Sequence, residues 1–94
     1  ILAGYIHNAL VSKVKNRYND VRNLGVKHAP LRVLIDAEMP CVIIESAFIS
    51  NPAEAKMLNS PEHQHLIAQA IVEGIFNFKS GVKAAFLKKS SKAL

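Results

Sequence analysis

The stretch Met39–Asn51, MPCVIIESAFISN, decides how this chain is read. Cys41, Val42, Ile43 and Ile44 form an unbroken apolar run, the pattern of a strand covered on both faces. Glu45 follows at the end of that run, ahead of a turn and a helix start. An ionised carboxylate in such a place is costly unless a metal, a cationic or hydrogen-bonding partner, or open water meets it. Functional residues gather at strand ends in α/β folds, so the position of Glu45 points to chemistry. A plain solvated Glu, or one paired with a nearby Lys or Arg, fits the same local pattern.

Downstream, Asn51-Pro52-Ala53-Glu54 is a helix start, with Asn51 as N-cap, Pro52 in the first helical position and Glu54 three after the cap. This helix is short and ends near Asn59. Ser60-Pro61 opens a second helix, whose apolar stripe is Leu66, Ile67, Ala70, Ile71, Gly74, Ile75 and Phe78. Gly74 within that stripe marks a close-packing site, because Gly is about 1 kcal/mol worse than Ala inside a helix. Beyond Ser80 the pattern weakens into a Lys- and Ser-rich tail, in which Val82, Ala85 and Phe86 make at most one helical turn.

Upstream, Pro40 stands at a strand start, where a missing N–H is tolerated. Asp36–Met39 reads as a turn and Leu31–Ile35 as a second short strand. Asn19-Asp20 and Asn23-Leu24-Gly25 are loop signals. Residues 1 to about 18 read as an amphipathic helix, with Tyr5, Ile6, Ala9, Leu10 and Val14 toward a core and Asn8, Ser12, Lys13, Lys15 and Asn16 toward water. The order helix, strand, strand, helix, helix predicts one side of an α/β domain. Two strands are few for an independent sheet, so further strands are expected before residue 1.

Ninety-four residues make one small domain at most. The apolar runs are too short to span a bilayer, so no stable membrane insertion is expected. The chain opens Ile-Leu-Ala-Gly, without an initiator Met or a secretory signal and already at helical spacing, as expected of a piece of a longer protein. The single Cys41 reads as a buried thiol. Net charge is +5, yet residues 1–78 carry seven basic and seven acidic side chains. Lys79, Lys83, Lys88, Lys89 and Lys92 supply the whole excess. The body has no helix-turn-helix spacing, zinc-finger pattern or aromatic-interleaved basic strand, which argues against nucleic acid as a partner. The tail reads as a solvated end, with weak, salt-screened attraction to anionic polymers or lipid as the competing reading.

Several linked segments carry a family likeness in order and spacing: Gly25-Val26-Lys27-His28-Ala29, Arg32-Val33-Leu34, Met39-Pro40, Val42-Ile43-Ile44-Glu45, Phe48-Ile49-Ser50-Asn51-Pro52, Glu54-Ala55, Leu58-Asn59-Ser60-Pro61-Glu62, and the helix with Ala68, Ala70-Ile71 and Gly74-Ile75. The chain resembles the C-terminal half of the zinc-dependent N-acetylmuramoyl-L-alanine amidases, over residues 1–79, leaving 80–94 as a basic C-terminal tail. The resemblance implies a mixed, twisted sheet flanked by helices. It implies cleavage of the amide joining N-acetylmuramic acid to L-alanine in peptidoglycan, in the periplasm or outside the cell. It also implies a general acid/base role for Glu45, where zinc polarises the carbonyl and its water and the carboxylate carries the proton.

The family's zinc ligands, a His, a Glu and a second His, belong to its N-terminal half and have no counterpart here. A catalytic zinc needs about three protein ligands, so this chain is expected to supply none and, alone, to be inactive. His7, His28, His63 and His65 match no family ligand and read as surface or partly buried polar residues. His63 and His65, two apart, point to different faces of a helix. Lys27 orders its loop, touches substrate carboxylates or is an ordinary surface lysine. Ser50 and Asn51 read as turn and cap residues. An activator protein is left open as a partner. The alternatives to an amidase are a non-catalytic or degenerate wall-binding domain and a structural module acting through its amphipathic helices. Apolar faces left uncovered in an isolated piece predict poor solubility or association.

Overall fold

Leu2, Ile6, Ala9 and Leu10 recur at helical spacing and form the first helix, α1 (Leu2–Arg17). The computed structural model describes the backbone of residues 1–17 and 23–93, and three further helices follow: α2 (Arg32–Ile35), α3 (Pro52–Leu58) and α4 (Pro61–Ala93). The loop signal at Asn19-Asp20 lies outside the described residues. Asn23 ties the following segment to α1, because its Oδ1 accepts from His7 Nε2 at 2.7 Å and from the Gly25 N–H at 2.9 Å. Gly25 has φ +80°, a backbone state that glycine adopts without a Cβ clash.

The core is the seam between α1 and α4. Ile6, Ala9 and Ala70 are buried there, at 3%, 6% and 0% exposure. The helices run antiparallel: Tyr5 lies beside Gly81 and Phe78, Ile6 beside Gly74, and Lys13 Nζ is 3.1 Å from Glu73 Oε2. Small residues make this approach possible. A Cβ added at Gly74 would lie 2.5 Å from Ile6 Cα. The Tyr5 and Phe78 rings meet edge to face with centroids 5.9 Å apart. The close-packing role expected of Gly74 is therefore met by the backbone of a second helix.

The α/β expectation is overturned: among the described residues there is no strand and no sheet. Leu31–Ile35 was expected as a strand, yet Arg32–Ile35 coils into the single turn α2, closed by bonds from Leu34 N and Ile35 N to Leu31 O and braced by Arg32 on Asp36 at 3.3 Å. Residues 41–48, the expected central strand, belong to no ladder. The physical reason is that a strand exists only as one member of a hydrogen-bonded pair. With Arg32–Ile35 helical, the sole partner expected within the chain is gone. Two dependent readings fall with it. The apolar run is not covered on both faces, since Ile43 is exposed, and Cys41 is an exposed free thiol rather than a buried one.

The end of the chain also differs from expectation. α4 continues without a break from Pro61 to Ala93, so residues beyond Ser80 extend the helix rather than forming an irregular tail. At 33 residues it is roughly 50 Å long, about twice the length of α1, and its last turns project past the start of α1.

Candidate functional site

The segment around Glu45 is positioned by the helix that follows it. Asn51 has extended backbone (φ −92°, ψ 119°), and its Oδ1 accepts from the N–H groups of Ala53 at 3.0 Å and Glu54 at 3.2 Å. Pro52 in the first turn has no N–H to satisfy. This is the cap read from the sequence, and it fixes where the extended chain turns. The Asn51 N–H donates to Phe48 O at 3.1 Å, closing a tight turn over residues 48–51. Between the chain preceding that turn and α3 lies a shallow, open hollow lined by Ile44, Glu45, Phe48, Ile49 and Leu58.

Glu45 sits on the rim of this hollow with its side chain exposed. Among the described residues its carboxylate takes part in no ion pair. An exposed carboxylate beside an apolar hollow can accept or return a proton to a molecule seated there. Ser50 and Asn51 act as turn and cap residues, as expected, and Asn51 occupies the first N–H groups of α3.

Lys27 is exposed in the irregular segment between Gly25 and α2, and no ion pair among the described residues joins it to Glu45. The four histidines are scattered. His7 bonds Asn23, His28 and His65 are exposed, and His63, in the first turn of α4, is 2% exposed. His63 and His65 do face opposite sides of α4, one buried and one open. Burial removes water from the His63 imidazole and lowers its pKa below the usual 6.5. A surface or partly buried His63 was expected; its full burial was legible in its register, seven residues before Ala70 on the stripe that faces α1.

No three His, Cys, Asp or Glu side chains among the described residues converge on a point that could hold a metal ion. The donors of the described residues therefore do not by themselves fit a catalytic zinc, which needs about three protein ligands and an open position.

The extended carboxylate-bearing segment, the capped α3 and the first half of α4 fall within a stretch of known kinship. Residues 1–77 match the Amidase_3 family model, described as N-acetylmuramoyl-L-alanine amidase, and the chain belongs to that family. It is 40% identical over 62 residues to the probable N-acetylmuramoyl-L-alanine amidase AmiB of Haemophilus influenzae, covering 66% of this chain and 14% of that protein. It is 38% identical over 66 residues to N-acetylmuramoyl-L-alanine amidase AmiC of Neisseria meningitidis, covering 70% of this chain and 16% of that protein. An endolysin of Bacillus phage SPP1 is 32% identical over 90 residues, covering 93% of this chain and 32% of the endolysin. The chain thus spans between a seventh and a third of the length of these relatives. No solved structure matches it.

Proposed function

We propose that this chain is part of a peptidoglycan hydrolase that cuts the amide between N-acetylmuramic acid and L-alanine, with Glu45 as the group that takes and returns the proton. Family membership and relatives named as amidases support the reaction class. The observation that carries the role of Glu45 is its position: an exposed carboxylate, in no ion pair among the described residues, on the rim of a hollow lined by Ile44, Phe48 and Ile49. Such a carboxylate is available to a substrate rather than committed to holding the fold.

Zinc dependence is part of the same proposal. Its protein ligands would come from parts of the enzyme other than these residues, whose donors do not converge. Lys27 is proposed as a contact for the acidic groups of the stem peptide, since it is exposed and joined to no carboxylate in an ion pair among the described residues. The working location is outside the cytoplasmic membrane, where peptidoglycan lies.

The test is Glu45→Gln in the intact enzyme, read by release of stem peptide from purified peptidoglycan and by zinc content. Loss of release with metal retained supports the proposal. Undiminished release refutes the role of Glu45, and wall binding with no turnover in the unsubstituted enzyme refutes the amidase reading.

A further inference from the structure

The second face of α4 has a chemistry unlike that of its seam with α1. His63, Ala70, Gly74 and Gly81 recur on the side turned to α1. On the opposite side Val72, Ile75, Phe76, Val82 and Phe86 fall within an arc of about 120°. All five are exposed, Phe76 at 60% and Phe86 at 68%. Lys79 and Lys83 fall inside the same arc, and Lys79 Nζ stands 5.8 Å from the centre of the Phe76 ring. Every described side chain from Val82 to Lys89 is exposed, because α4 there outruns α1.

Charge narrows what can cover this face. The last acidic residue of the chain is Glu73, and five lysines follow it. A second copy packed through the same stripe would bring Lys79 and Lys83 against their own kind without a carboxylate to answer them. A soluble polyanion would use the lysines and leave the two phenylalanines and three aliphatic residues in water. An anionic bilayer surface meets both demands. Its headgroups answer the lysines, and the acyl boundary takes the apolar side chains, which is the arrangement of an interfacial amphipathic helix. The helix lies along such a surface and does not cross it; no described helix is long and apolar enough to span a membrane.

We propose that the face of α4 carrying Val72, Ile75, Phe76, Val82 and Phe86 is a peripheral docking surface for anionic lipid, with Phe76 and Phe86 entering the headgroup region and Lys79 and Lys83 supplying electrostatic attraction.

The experiment is co-sedimentation of the 94-residue chain with vesicles of mixed phosphatidylcholine and phosphatidylglycerol, against vesicles of phosphatidylcholine alone. Binding is expected on the anionic vesicles, weakening as added salt shortens the screening length. Each of Lys79→Gln and Lys83→Gln lowers affinity about fivefold. The pair Phe76→Ser, Phe86→Ser lowers it by about tenfold or more. These side chains are exposed, and circular dichroism verifies that helix content is kept in every variant. Equal sedimentation with both vesicle types overturns the proposal. So does binding to soluble teichoic acid that the Phe variants leave unchanged, which assigns the lysines to a wall polymer. Self-association abolished by the Phe variants, with no vesicle binding, overturns it in favour of a second copy.

Discussion

Ile6 and Gly74 bring the backbones of α1 and α4 close together: a methyl group placed on residue 74 would sit 2.5 Å from Ile6 Cα and 3.0 Å from Ile6 N. The obstacle is backbone, which cannot rotate aside as a side-chain tip can. Gly74→Ala therefore sets two effects against each other. Helix propensity gains about 1 kcal/mol, while forcing α1 away from α4 strains a seam in which, among the described residues, Ile6, Ala9 and Ala70 are the buried hydrophobic ones. The clash wins, and thermal unfolding of the chain should show a net loss of about 1–2 kcal/mol. A stabilised variant would mean that the two helices do not cross at this point.

Gly81 makes a graded control. Its added Cβ would collide with the Tyr5 hydroxyl, the far end of a side chain. That ring can swing at the expense of its edge-to-face contact with Phe78, worth about 1 kcal/mol. Gly81→Ala is expected to be near neutral, and clearly milder than Gly74→Ala in the same melt. Equal losses would contradict the geometry.

His63 makes stability depend on pH. Its imidazole is buried and its folded pKa is held below 6.5 by lost solvation. As pH falls, the unfolded chain takes up this proton first, so the unfolded state gains. The contribution is fully present above about pH 6.5 and is lost as pH drops toward the folded value. Melting temperature should decline across that window, and His63→Leu should flatten the decline. An unchanged slope in the variant would assign the effect to other groups.

Asn51 offers a test of how the segment at Glu45 is held. Its side chain satisfies two N–H groups of α3. Asn51→Ala should lower stability by about 1 kcal/mol and loosen the turn over residues 48–51. Amide hydrogen exchange of Ala53 and Glu54 should quicken; full protection retained in the variant would show that the cap is dispensable.

Glu45→Gln should leave the unfolding free energy of the chain within about 0.5 kcal/mol of the parent, because the group is exposed. In the intact enzyme the same change should reduce turnover by about 10²–10⁴ if the carboxylate transfers the proton. A destabilised fold would show Glu45 to be structural instead.

What could be read from the residues in order was whatever depends on neighbours three or four apart. The amphipathic stripe of α1, the Asn51 and Ser60 helix starts, the tight packing implied by Gly74 and the linked segments of the amidase family are all local signals. Pairing across the chain was not of this kind. The run Cys41–Ile44 has the composition of a buried strand, yet a strand needs a partner at a hydrogen-bonding distance, and no residue type announces whether one is there. Only the tertiary structure showed Arg32–Ile35 coiled and residues 41–48 in no ladder, leaving Cys41 and Glu45 exposed. It also decided which side of α4 meets α1, burying His63 and leaving Phe76 and Phe86 in water. Burial is a property of surfaces brought together from distant parts of the chain, whereas helix periodicity is written within each turn.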